Sequence, residues 1–143
     1  MSIKQISVFL ENSCGKLDEM ASLLAKHGID MRALSLAETK DFGIARVIVD
    51  DAFATINVLK ENAFIAKLTP VLAYAVPDEP GGLAKLVSAF TAAGVDIEYM
   101  YAFLGGSSGH AYMIFRVADP DATESALGAK GWKPVTQEQI SAI

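Results

Sequence analysis

The chain has a single cysteine, Cys14, so an internal disulfide framework and any cysteine-based zinc site are excluded. It has no apolar run near the roughly 20 residues that span a bilayer. Its first residues, MSIKQISVFL, lack the basic start and small-residue cleavage site of a secretory leader. Basic residues are in the minority, 12 against 17 acidic, and the formal charge of -5 argues against a general nucleic-acid surface. His27 and His110 are the only histidines and stand far apart, so neither a histidine metal site nor a catalytic triad is expected. There is no Lys-Ser/Thr phosphate loop either. Gly105 to Gly109 (GGSSG) is read as a hairpin turn between two strands. Together these absences leave a cytoplasmic globular chain with no cofactor, no membrane contact and no nucleic acid partner.

What is present is apolar and repetitive. Hydrophobic residues make up 52% of the 143, a large core for a small chain. A shift of 66 positions carries Gly15 onto Gly81, Leu17 onto Leu83, Met20 onto Leu86 and Leu24 onto Phe90. The same shift carries Gly28-Ile29-Asp30 onto Gly94-Val95-Asp96 and Gly43 onto Gly109. Further on the shift is 68, pairing Asp51 with Asp119, Leu59 with Leu127 and Phe64 with Trp132. One unit of about 66 residues therefore occurs twice, at 1–68 and 69–143, with a two-residue insertion near the third strand of the second copy.

Each copy reads βαββαβ. Ile3 to Leu10 is strand-like, and Asn12 to Gly15 is a loop in which Asn12 or Ser13 caps a helix. Leu17, Met20, Ala21 and Leu24 follow helical spacing, and Gly28 suits a left-handed stop. Ile29 to Ala37 and Phe42 to Val49 are strands joined by a turn at Glu38 to Asp41. Asp50 or Asp51 caps a helix through about Asn62, and Phe64 to about Leu68 closes the unit. The second copy follows with strands at Val71 to Val76, Val95 to Phe103, His110 to Val117 and Trp132 to Val135. Its helices are Leu83 to Ala93 and Pro120 to Lys130, the latter starting on Asp119-Pro120. This order gives an α+β architecture: two ferredoxin-like units, each a four-stranded antiparallel sheet with two helices on one face. No flexible linker separates them. Apolar runs such as Val47 to Val49 and Ala111 to Phe115 want cover on both faces, so we expect the units to pack on each other and on a second chain.

Two loops and the steps that follow their helices carry a family resemblance: ENSCGKL with HGIDMRALS, and DEPGGL with AGVDIEYMY. Over essentially the whole chain the sequence resembles tandem ACT domains, small regulatory modules that bind amino acids where two modules meet. The resemblance implies a first ligand site at Asn12, Ser13, Cys14, Gly15, Asp30 and Met31. It implies a second at Asp78, Glu79, Pro80, Gly81, Gly82, Asp96 and Ile97. Cys14 replaces the proline usual in the family. The chemistry is sound without the name: a helix start offers unpaired N–H groups and a positive dipole end to a carboxylate, and a carboxylate or amide accepts from an ammonium. Asp78 and Glu79 put negative charge beside the second shelf, so the first site is favoured. As a thiol without a second cysteine, Cys14 is read as a packing residue. The aromatics Tyr99, Tyr101, Phe103, Tyr112 and Phe115 are read as an interface surface.

No nucleophile–base pair and no carboxylates paired across a pocket are evident. The expectation is a stand-alone regulatory sensor without catalytic activity, a homodimer, binding an amino acid or related metabolite and acting on a partner metabolic enzyme. The alternative is an interaction module of the same fold that has lost ligand binding, its loops serving as turns and caps.

Overall fold

The computed structural model describes residues 2–11, 13–38, 42–105 and 109–143. The turn expected at Glu38 to Asp41 and the centre of the Gly105 to Gly109 turn lie largely outside these residues. The chain divides into two compact units, one of Lys4–Thr69 and one of Pro70–Ile143 with Met1–Ile3.

The first unit contains β1 (Ile3–Glu11), α1 (Lys16–Lys26), β2 (Met31–Glu38), β3 (Phe42–Val49), α2 (Ala52–Glu61) and the first half of β4 (Ile65–Pro77), with strand order β2-β3-β1-β4. Both neighbours of β3 run antiparallel to it. Val8 and Leu36 both face Ala45, and Leu10 and Glu38 both face Gly43. Met20 and Leu24, one turn apart on α1, are fully buried against Ile6, Val8, Val47 and Leu59. Two positions of β1 that point away from this core are polar yet buried, and each is satisfied. Gln5 Nε2 donates to Ser7 Oγ at 3.0 Å, and Ser7 Oγ lies 3.0 Å from Thr69 Oγ1.

The second unit contains the rest of β4, α3 (Gly82–Ala92), β5 (Tyr99–Ala102), β6 (His110–Arg116), α4 (Pro120–Gly128) and α5 (Gln137–Ala142), with strand order β4-β6-β5, both pairs antiparallel. Its core is aromatic. Tyr74 meets Phe90 edge-on at 6.2 Å, and Phe90 meets Phe115 at 4.7 Å. The Tyr74 hydroxyl is buried without a hydrogen-bond partner, and burial, then the Glu124 carboxylate, pushes its pKa up to about 12. Among the described residues no helix is long and apolar enough to cross a membrane.

Several expectations hold in detail. Asp51 and Asp119 cap α2 and α4 through the N–H groups of Ala54 and Ala122, at 3.0 and 3.1 Å. Gly28 takes φ 67 after α1. Four expectations are corrected. The strands expected at Phe64 to Leu68 and Val71 to Val76 are one continuous strand, because Thr69-Pro70 does not break it. The strand expected from Val95 starts only at Tyr99: Val95 N turns back to Phe90 O at 3.0 Å, and Glu98 N reaches Arg116 O at 2.9 Å just before the strand. Trp132 to Val135 is not a strand: Trp132 N turns back to Leu127 O at 3.1 Å, Val135 N donates to Ala73 O at 2.7 Å, and the segment runs into the unexpected helix α5. Finally, Ser13 does not cap α1, and Asn12 lies outside the described residues. The N-cap position is Gly15, left-handed at φ 93, with no side-chain cap bond.

Candidate functional site

The strand-to-helix turn of the first unit is set by backbone bonds. Ser13 N donates to Glu11 O at 2.8 Å, the chain turns through left-handed Gly15, and Glu19 N closes the first helical turn onto Gly15 O at 2.9 Å. Positive φ at Gly15 suits glycine. Beside that start lies a cleft of about 290 Å³. Its polar groups are Ser13, Lys16, Glu11 and Glu38, and Leu10, Leu17 and Leu36 supply the apolar wall. Gly43 lies between Leu10 of β1 and Glu38 of β2 in register and lines the same cleft. Lys16 Nζ sits 3.3 Å from Glu19 Oε2 on the surface, a pair weak enough to exchange partners.

The expected site residues fall into two groups. Ser13 lines this cleft, and Cys14 and Gly15 form the exposed turn beside it. Asp30 and Met31 stand at the far end of α1, a helix of 11 residues and so about 16 Å long. There Asp30 Oδ2 accepts from Arg32 Nη1 at 2.7 Å, and Met31 packs on the core. A single unit therefore does not bring the loop and the start of β2 together. Glu11, Lys16, Leu36, Glu38 and Gly43 were not among the expected residues. Lys16 had a signal, being the first residue after the turn glycine. Leu36, Glu38 and Gly43 reach the cleft only through strand register.

The second unit repeats the backbone turn: Glu79 N donates to Pro77 O at 2.9 Å, and Gly81 is left-handed at φ 88. Asp78, Glu79 and Pro80 are exposed. Gly82 is buried so closely that a Cβ there would stand 2.1 Å from the Pro77 carbonyl oxygen. Asp96 lies beyond the other end of α3, lining a cleft of about 470 Å³ with Glu98 and Asp119. Ile97 packs against the aromatic core.

With this duplicated architecture in place, comparison with known families is decisive. The family model described as an ACT domain pair matches residues 1–143. The chain belongs to the ACT domain family.

This ACT pair is similar to the crystal structure of protein BT0572 from Bacteroides thetaiotaomicron, with 36% identity and a TM-score of 0.91, covering 100% of this chain and 98% of that one. It shares the fold of the regulatory subunit of aspartate kinase from Thermus thermophilus in its ligand-free form, at 18% identity and TM-score 0.64, covering 88% and 90% of the two chains. The corresponding subunit from Thermus flavus has 18% identity and TM-score 0.59, with the same coverage. A comparison with curated protein sequences gives no match.

The 66-residue shift shows how far the two ACT units diverge at this position. Glu11 becomes Pro77, Ser13 becomes Glu79, Lys16 becomes Gly82 and Glu38 becomes Leu104, while Gly43 persists as Gly109. The turn is kept in both units, and the cation-and-carboxylate set belongs to the first.

Proposed function

We propose that this ACT pair is a regulatory sensor of a free amino acid or a closely related small metabolite, with no catalytic activity of its own and with the first-unit cleft as its ligand site. The observation that carries this reading is the composition of that cleft. A helix start and Lys16 face a ligand carboxylate; Glu11 and Glu38 face an ammonium; Leu10, Leu17 and Leu36 face an apolar side chain. A zwitterion needs all three, and charge-assisted bonds of both signs reject a ligand carrying only one of them. The cleft is open to solvent, so a facing ACT module completes the enclosure, in a homodimer. The output is linkage: ligand stabilises one arrangement of modules, and a partner metabolic enzyme in the cytoplasm reads it.

A thermal-shift screen against the common amino acids and their keto-acid relatives tests the reading. A ligand at about 100 times its Kd adds about 2.7 kcal/mol. For a chain of this size that raises Tm on the order of 5–10 °C. A selective hit that disappears in Lys16→Ala is the expected result. Silence across the panel removes the sensor reading. It leaves an interaction module of the same fold, which the tightly closed Gly82 turn of the second unit favours for that half of the chain. Light scattering checks the dimer; a monomer of 15.2 kDa contradicts it.

A further inference from the structure

The helix caps of α2 and α4 repeat between the units, and the residue one turn further on does not behave alike in the two. Asp51 and Asp119 accept from Ala54 N and Ala122 N. Four residues beyond each cap, the shift of 68 pairs Thr55 with Thr123. The Thr55 hydroxyl turns back on its own helix and donates to the Asp51 carbonyl at 2.7 Å. The Thr123 hydroxyl makes no such bond. Thr123 is only 3% exposed, and its hydroxyl is neither bonded to a described residue nor sealed from solvent. It opens onto the cavity of about 470 Å³ that it lines, between α4 and the segment after α3. Buried polar groups are nearly always satisfied, so a free hydroxyl on the floor of a cavity of this volume is a contact left open to a ligand.

The charged groups around that hydroxyl are all of one sign. Asp96, Glu98 and Asp119 stand at the rim, and among the described residues no Lys, Arg or His lines the cavity. The three carboxylates are spread out: among the described residues no three acidic side chains gather closely enough to hold a metal ion. That spacing suits an extended cation and not a compact one. The wall between them is apolar, with Val95 on one side and Ala122 and Ala126, one turn apart on α4, on the other. In a chain of net charge -5 the long-range field draws a cation as well. The Gly81 turn opens the other end of α3, a helix of 11 residues and so about 16 Å long, and takes no part in this cavity.

We propose that this cavity is a second ligand site, separate from the first-unit cleft, for a short aliphatic diamine. One ammonium donates to the Thr123 hydroxyl and the Asp119 carboxylate, which stand one turn apart at the start of α4. The other donates to Asp96 and Glu98, and the methylenes between them lie along Val95, Ala122 and Ala126. The first-unit cleft sets Lys16 beside its carboxylates and so receives a zwitterion. This cavity has no cation to receive a ligand carboxylate, so it takes the amine and rejects the amino acid.

The test is calorimetric titration of the full chain, at low salt, with 1,4-diaminobutane, butylamine and 1,4-butanediol. The expected result is saturable binding of the diamine, roughly tenfold weaker binding of butylamine, and no binding of the diol. Thr123→Val removes the hydroxyl at nearly constant volume and weakens the diamine roughly tenfold. If that variant fails to fold by circular dichroism, the double rim variant Asp96→Asn with Glu98→Gln carries the test, with a loss of about tenfold. No saturable binding at millimolar concentration overturns the proposal, as does diamine binding no tighter than that of butylamine. Binding that folded Thr123→Val leaves unweakened overturns it too. Binding lost in Glu38→Gln but kept in Thr123→Val also overturns it and places the diamine in the first-unit cleft.

Discussion

The two ACT units share a backbone turn and differ in almost everything that turn carries. Gly15 sits at φ 93 and ψ -7, Gly81 at φ 88 and ψ -9, and each opens a helix of 11 residues. Yet the first turn borders a cleft with a cation and two carboxylates, and the second has Gly82 pressed against the Pro77 carbonyl. The cores diverge as well. Where the first unit packs Val8 and Leu24, the second packs Tyr74 and Phe90. Duplicated backbone geometry is thus compatible with distinct chemistry, because a cleft is made by the side chains at the turn and by the strands beside it, not by the turn alone.

The largest effect expected from breaking this comparison is in the aromatic core. Phe90→Ala leaves Tyr74 and Phe115 without their shared neighbour and costs about 3–5 kcal/mol, measured by urea denaturation. Next is Gly82→Ala. Its Cβ meets backbone, which cannot yield as a flexible side chain does, so the cost is about 1–3 kcal/mol. The equivalent change in the first unit, Lys16→Ala, removes only surface atoms and stays within about 0.5 kcal/mol. Comparable losses for the two variants would dissolve the distinction between the turns.

Tyr74→Phe sharpens the contrast from the other side. It removes a buried hydroxyl without a partner and raises stability by about 1 kcal/mol. It also removes a pH dependence. With its folded pKa raised to about 12 from the ordinary tyrosine value of 10.0, the tyrosine favours the folded chain fully below pH 10, and that contribution is lost as pH rises from 10 towards 12. Wild type therefore loses stability across this window more steeply than Tyr74→Phe, a difference that thermal melts at pH 9 and 11 detect.

Much of the fold was legible because local signals agreed with one another. Asp51 and Asp119-Pro120 are strong helix starts, Gly28 and Gly94 are strong stops, and the shift of 66 tied them into one repeated pattern. β4 was misread because proline usually ends a strand. Here Pro70 has no N–H to offer, but its carbonyl accepts from Arg116 Nη1 at 2.7 Å and the strand continues. Helix α5 had a readable signature, Thr136-x-x-Gln139, outweighed by the expectation that the repeat would finish in a strand. The first-unit cleft was only half legible. The loop and its glycine are contiguous in sequence, but Leu36, Glu38 and Gly43 arrive through β-sheet register, which a single sequence does not specify. Asp30 and Asp96 follow the repeated Gly-Ile/Val-Asp step, and the intervening helix places each at the opposite end of its unit from the turn.

The measurement that bears most directly on the central claim is calorimetric titration of the selected amino acid into wild type, Lys16→Ala and Asp96→Ala. The first-unit cleft as ligand site predicts that Lys16→Ala weakens binding by roughly tenfold or more and that Asp96→Ala leaves it unchanged. Binding that survives Lys16→Ala and is lost in Asp96→Ala would move the ligand to the second unit and contradict the account.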